Sequence, residues 1–435
     1  MSVEAVEKNI SIDVASWIER NTPSSFPELR KNALQAFKKV GLPVGKAEEF
    51  KFTPITRELG KNFDFSLTNN TGTINPVQFQ LSGMDATVLV FVNGIFSKEY
   101  SSPLPAGKEL TILPLEEAAA TKPDMVLKHL GKYADIKNDG LTAWNTAAWN
   151  SGVFIHVEKD TVVEKPVLIY HVNDSENNQV ISVVRNLVVV EENSELTVLE
   201  KFDSVGSSNH FTNIVTEGSV AENGELNVYS IQNNTGNEYQ FNLKQIHQGD
   251  KSRVNTFTFT LGGKLIRNNL HLALDGEAIE SHMYGLYLLT NSTLADNHTV
   301  VDHKKPNSFS NELYKGIIDG SAKGVFNGKI FVRPQAQKTN AFQANRNVLL
   351  TDKASINTKP QLEIWADDVK CSHGCTSGQL DDEALFYLQS RGIKKETARA
   401  MMLYAFAAEL LENVKHPVIK DYLDNLISER LHKNF

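Results

Sequence analysis

The sequence predicts a mainly β protein with helical segments at both ends. Three observations carry this prediction. From about residue 152 to 350, strand-like runs and turn clusters alternate without any helical period. The strand starts recur every 12 to 15 residues, a rough repeat with no fixed motif. On either side of this span, apolar residues return at helical spacing instead. Some 200 residues of strand and turn fit a pair of sandwiches, a barrel or a β-solenoid, and periodicity alone leaves all three open.

Taken in order, the first segment is helical. Phe26, Leu29, Ala33, Phe37 and Val40 fall on one helix face, Pro27 sits in the first turn where its missing N–H is harmless, and Gly41 and Pro43 stop the helix. Residues 60–150 mix turns with short apolar runs, among them 87–92, and a helix is expected over 115–130. Next come strand-like runs at 153–157, 166–172, 180–190, 195–201, 224–231, 239–246, 254–261, 265–274 and 278–289. Turn clusters such as Asn193-Ser194, Asn223-Gly224, Gly249-Asp250 and Asp275-Gly276 separate them. The many asparagines fit stacked solenoid turns, although Asn is also common in turns generally. Asp381 or Asp382 caps a short helix that Gly392 ends, with Ile393 folding back on it. Leu403, Phe406, Ala407, Leu410, Leu411 and Val414 then form an amphipathic stripe, and a last helix starts at Pro417. The expected division is 1–150 mixed helical, 151–365 β and 366–435 helical.

Composition narrows the function classes. The formal charge of −8 favours neither nucleic acid nor an anionic membrane. The longest apolar run, 400–408, has nine residues, far short of the roughly 20 that a membrane span needs. Glu4, Glu7 and Asp13 precede the first arginine, Arg20, which argues against a transit peptide, and no signal-peptide core is present. Two cysteines are too few for a secreted disulfide framework, so a cytoplasmic, reducing setting is expected. The P-loop, dinucleotide, nucleophile-elbow and H-E-x-x-H patterns are all missing; Gly328-Lys329 runs into Ile330 without the upstream glycine. A non-catalytic protein is therefore expected.

The chemistry concentrates in Lys370-Cys371-Ser372-His373-Gly374-Cys375, which holds both cysteines around one histidine. Thiolates and imidazole are the ligands of iron, zinc and copper. The plain alternative is a turn after a buried strand, with the cysteines as small apolar fillers. Lys370 is a neighbouring cation that would favour a thiolate at Cys371. His271, His282, His298 and His303 lie in the β region and are commoner as hydrogen-bonded structural residues than as ligands. Glu363, Asp367 and Asp368 read as solvated groups or as supports for a site.

Together with the capped helix that follows, this segment resembles the C-terminal signature of the SufB/SufD family of iron–sulfur cluster assembly proteins. Tyr314-Lys315-Gly316-Ile317, the run 324–330, Ala336-Gln337-Lys338-Thr339 and the run 358–364 are similar to that family's core blocks. Gly41-Leu42-Pro43 and the run 47–53 resemble its N-terminal motif, with Phe50 and Phe52 where Trp and Tyr are usual. The match is dense over 296–410, and the N-terminal motif and chain length point to the SufD branch.

The resemblance implies a right-handed parallel β-helix between helical ends. It implies a scaffold subunit that builds and releases nascent iron–sulfur clusters, pairs with a SufB-like paralogue and binds a SufC-like ABC ATPase through its C-terminal helices. Cys371 and His373 match the signature's Cys-x-His and would bind the transient cluster, shared with the SufB-like partner. Cys375 stands where a small residue is usual and reads as a bystander. Alone, the chain is expected to form a homodimer. The competing readings are a cytosolic zinc protein using Cys371, His373 and Cys375, and a β-helix enzyme acting on carbohydrate.

Overall fold

The computed structural model describes residues 3–435 apart from 46, 68–71, 73, 80 and 82. From Val153 onward successive strands alternate between two sheets, one of ten strands and one of nine. The result is a parallel β-helix of about eight turns. Each strand pairs in parallel with the one a coil later: Leu265 lies beside Leu294, and Leu294 beside Lys323. Two strands per coil explain why strand starts recur at half the coil length. Of the three architectures that periodicity left open, the solenoid is the one formed.

One corner of every coil is built from the same backbone device. Asp160, Asn193, Asn223, Lys251, Ala278, Asn307 and Lys338 all have positive φ, between 55° and 65°. Each donates its N–H to a carbonyl of the next coil, as Asn193 does to Glu222 and Asn307 to Gln337. Asn and Asp tolerate the left-handed region best, which accounts for the asparagine-rich turns. Three of these side chains also stack: Asn223 Nδ2 donates to Asn193 Oδ1 at 2.9 Å, and Asn193 Nδ2 to Asp160 Oδ1 at 2.7 Å.

Helical segments cover the two outer faces. The N-terminal part contributes α1 (Val3–Asn21), α2 (Pro27–Val40), α3 (Ile55–Asn62), α4 (Leu115–Thr121), α5 (Pro123–His129) and α6 (Gly140–Ala148). Their apolar faces, including Trp17, Phe37 and Trp144, pack on Phe211, Phe241 and Leu265 of the nine-stranded sheet. A fully buried ion pair locks this region down. Glu217 accepts from Arg185 at 2.5 Å and from the backbone N–H groups of Gly131, Tyr133 and Ala134 at 2.7 to 2.9 Å. The helix expected over 115–130 is two helices. Pro123 excludes the α conformation at Lys122, which sits at φ −134°, ψ 49°, and the chain restarts with Pro123 as the first helical residue.

At the other end, α7 (Asp382–Ser390), α8 (Lys395–Leu411) and α9 (Pro417–Asn434) follow the last strand. Asp381 caps α7 by accepting from Glu383 and Ala384 N–H at 2.9 and 3.2 Å. Gly392, at φ +85°, turns the chain back so that Ile393 N–H reaches Leu388 O. Leu403, Ala407, Leu410 and Leu411 of α8, with Ile419, Leu423 and Ile427 of α9, bury against Tyr229, Phe257, Leu286 and Ile317 on the ten-stranded sheet. The stripe read from the sequence therefore serves the core.

Candidate functional site

The cysteine–histidine segment is not a turn. It is a strand, Lys370–Gly378, the last of the ten-stranded sheet, paired in parallel on one side with Asn340–Leu349. Its other edge has no neighbouring strand among the described residues. Ser355–Ile364 ends the nine-stranded sheet in the same way. The solenoid thus finishes in two free edges whose N–H and C=O groups are available for pairing with another chain.

Side chains alternate along a strand, so Cys371, His373 and Cys375 project from one face, the one that lines the interior of the coil. Cys371 packs against the interior core cluster. Cys375 Sγ lies 3.1 Å from Thr358 Oγ1 on the opposite sheet. His373 is exposed at the open mouth between them. Lys370 falls on the other face, so the cation read as favouring a thiolate does not act on Cys371. Burial pushes the Cys371 thiol up, and a backbone hydrogen bond at Ala341 offsets only part of that. Both cysteines are free thiols.

Below the three residues lies a polar floor that no local motif announces. Ala341, Gln343 and Asn345 are the strand partners of Cys371, His373 and Cys375. Gln343 donates to Glu312 at 2.7 Å, and Asn345 to Tyr287 Oη at 2.9 Å. Tyr287 in turn donates to Asn347. Burial raises the Glu312 carboxyl to about 7, with hydrogen bonds from Thr299 and Gln343 acting in the opposite sense. These residues are brought under the site only by the coil register.

The donor count is small. At a rise of about 3.3 Å per residue, Cys371 and Cys375 have Cα atoms roughly 13 Å apart, too far for two ~2.3 Å metal–sulfur bonds to one ion. Among the described residues no three His, Cys, Asp or Glu side chains gather into a metal-holding group. The zinc site from Cys371, His373 and Cys375 is therefore not formed, and Cys371 and His373 are at most part of a ligand set.

The other histidines lie elsewhere. His303 faces the interior, buried, with burial lowering it to about 4. His282 sits on the outer face of the ten-stranded sheet, 2.7 Å from Glu280. His271 and His298 share the outer face of the nine-stranded sheet. Glu363, Asp367 and Asp368 are exposed. Beside the open end, α7 presents Phe386 and Tyr387, 72% and 57% exposed, among the most exposed large apolar side chains described.

Comparison with known proteins agrees with this architecture. Residues 171–406 match the model of the SUF system FeS cluster assembly, SufBD core domain, and residues 12–169 match the SufBD protein N-terminal region. The iron–sulfur cluster assembly SufBD family protein slr0076 of Synechocystis is 31% identical over 409 residues, covering 92% of this chain and 90% of the relative. The iron–sulfur cluster assembly protein SufD of Escherichia coli is 30% identical over 403 residues, covering 92% and 91%. Protein ABCI7, chloroplastic, of Arabidopsis thaliana is 28% identical over 420 residues. Two family models that together span nearly the whole chain, with relatives of matching length, place it: the protein belongs to the SufBD family of iron–sulfur cluster assembly proteins.

Proposed function

We propose that the protein is a non-catalytic scaffold subunit of the SUF machinery, acting in the cytoplasm in a complex with a SufB-like paralogue and a SufC-like ATPase. The observation that carries this is the placement of Cys371 and His373 on one face of a free edge strand. A thiol and an imidazole suit iron and sulfide, yet two donors leave a nascent cluster's coordination incomplete. A second chain that pairs with the open edge would bring the missing donors to the same spot. The cluster is then cargo, held between subunits and passed on, with Cys375 outside the ligand set.

The ATPase would dock on the C-terminal helices. Because the stripes of α8 and α9 are consumed by the core, α7 with Phe386 and Tyr387 is the face left for a partner. Partner movement driven by nucleotide would open the edge-to-edge contact and uncover Cys371 and His373. Without its paralogue, the chain would cover the same edge with a second copy of itself. Co-purification from the host tests the reading. A SufB-like chain and a P-loop ATPase retained in fixed proportion support it, and recovery without either contradicts it.

A further inference from the structure

Residues 41–45 and 47–53 of the N-terminal motif take no part in the cysteine–histidine site, yet several of them line a sizeable cleft. Residues 40–44, Ala47, Glu49 and Phe50 lie over the outer face of the nine-stranded sheet and enclose with it about 480 Å³. That is within the range of small-molecule sites, and a second cleft of about 290 Å³ adjoins it. These residues are held in place. Gly140 lies so close to Gly41 that a Cβ there would sit 1.7 Å from the Gly41 carbonyl oxygen. Arg267 donates to Glu49 O at 2.7 Å and stacks 4.4 Å from the Phe50 ring, and Thr53 donates to Asp296.

Glu49, His298 and Asn327 line both clefts and so form the partition between them. The Glu49 carboxylate is bound to Lys329 and lies 3.2 Å from His298 Nδ1. Hydrogen bonding with His298, and then Lys329, holds it well below the usual carboxylate range against the cost of burial. Asn327 is only 6% exposed, and its Oδ1 has no hydrogen-bond partner. An unpaired buried acceptor is costly, and its position at a cleft wall leaves it open to a donor from outside. The larger cleft has an apolar side, with Leu42, Val44, Phe50, Val300 and Phe331 in its lining, and a polar side that includes Asp139, Arg267 and His271.

We propose that this cleft binds a small molecule carrying an oxyanion together with a hydroxyl donor, such as a phosphate monoester monoanion or a hydroxy acid. Its anionic oxygens take the place that Glu49 holds on Lys329 and His298, its hydroxyl donates to Asn327 Oδ1, and its body lies along the apolar side of the cleft. Glu49 is then a built-in competitor that keeps the seat closed until ligand arrives. This site is separate from the cysteine–histidine edge and does not rest on its proposed role.

Calorimetric titration of the full chain with inorganic phosphate, and in parallel with malate, tests the proposal and tells the two headgroups apart. Glu49→Gln removes the competitor and should tighten binding at least tenfold. Lys329→Met should abolish it. Asn327→Leu should also abolish it while leaving the melting temperature equal or higher, because an unpaired buried carbonyl is removed. Should Glu49→Gln fail to fold, loss of the ligand-induced melting shift in Asn327→Leu and Lys329→Met decides. Failure of both ligands to bind the parent and Glu49→Gln overturns the proposal. So does equal affinity in parent and Glu49→Gln, or binding that survives both Asn327→Leu and Lys329→Met.

Discussion

Glu312 shows what a single buried carboxyl does inside this solenoid. Its pKa stands near 7, above the ordinary 4.5 that it regains on unfolding. The folded state therefore holds a proton that the unfolded chain gives up. The stability tied to that proton is fully present below about pH 4.5 and is lost as pH rises toward 7. Glu312→Gln, which keeps the shape and the acceptor for Gln343, should melt several degrees above the parent at pH 8 and together with it near pH 4.5. Equal melting curves at pH 8 would show that burial does not disfavour this carboxylate. At the same scale, the sequence identified Cys371, His373 and Cys375 as the chemically distinctive residues but not what surrounds them. Lys370 is next to Cys371 in sequence and on the opposite face in the fold, whereas Gln343, Asn345 and Tyr287 come from other coils.

Among the elements, the helices were the most legible, because their caps and apolar stripes are local. Pro27, Gly41, Gly392 and Pro417 mark the expected ends, and of Asp381 and Asp382 it is Asp381 that caps. Strands with apolar inner faces were equally plain, as at Val180–Val190 and Leu265–Leu274. His210–Val220 escaped, as did the separate strands beyond residue 289. Thr212, Asn213, Thr216 and Glu217 are all buried there, and polar residues satisfied by a neighbouring coil, as Thr212 is by Glu238, or by the covering helices, as Asn213 is by Leu141 O, leave no apolar run to read. The two apolar surfaces of the C-terminal helices should separate by experiment. Leu403→Ala opens a cavity under α8 and should cost about 2–5 kcal/mol in denaturant unfolding. Phe386→Ala, at an exposed site, should leave stability within about 0.5 kcal/mol but weaken capture of the ATPase. Retention of the ATPase at parental affinity by Phe386→Ala/Tyr387→Ala would remove α7 from the proposed interface.

For the molecule as a whole, a parallel β-helix is capped along both outer faces but open at its C-terminal coil, where we propose that another chain pairs. Among the described residues the strands Ser355–Ile364 and Lys370–Gly378 each keep one unpaired edge, and a second copy is the partner at hand when the protein is alone. Light scattering of the purified chain at micromolar concentration should give a dimer mass; a monomer would contradict that expectation. The periodicity alone could not choose the solenoid, since two strands per coil look like any string of short strands until the register between coils is known. The claim that the open edge carries a shared cluster site is met most directly by one measurement: iron and acid-labile sulfide per complex, purified anaerobically after co-expression with a SufB-like chain and the ATPase. The parental complex should carry clusters, with a sharp fall in His373→Ala and Cys371→Ser, little change in Cys375→Ala, and a melting curve for His373→Ala within about 0.5 kcal/mol of the parent. Normal iron and sulfide in His373→Ala and Cys371→Ser would contradict it.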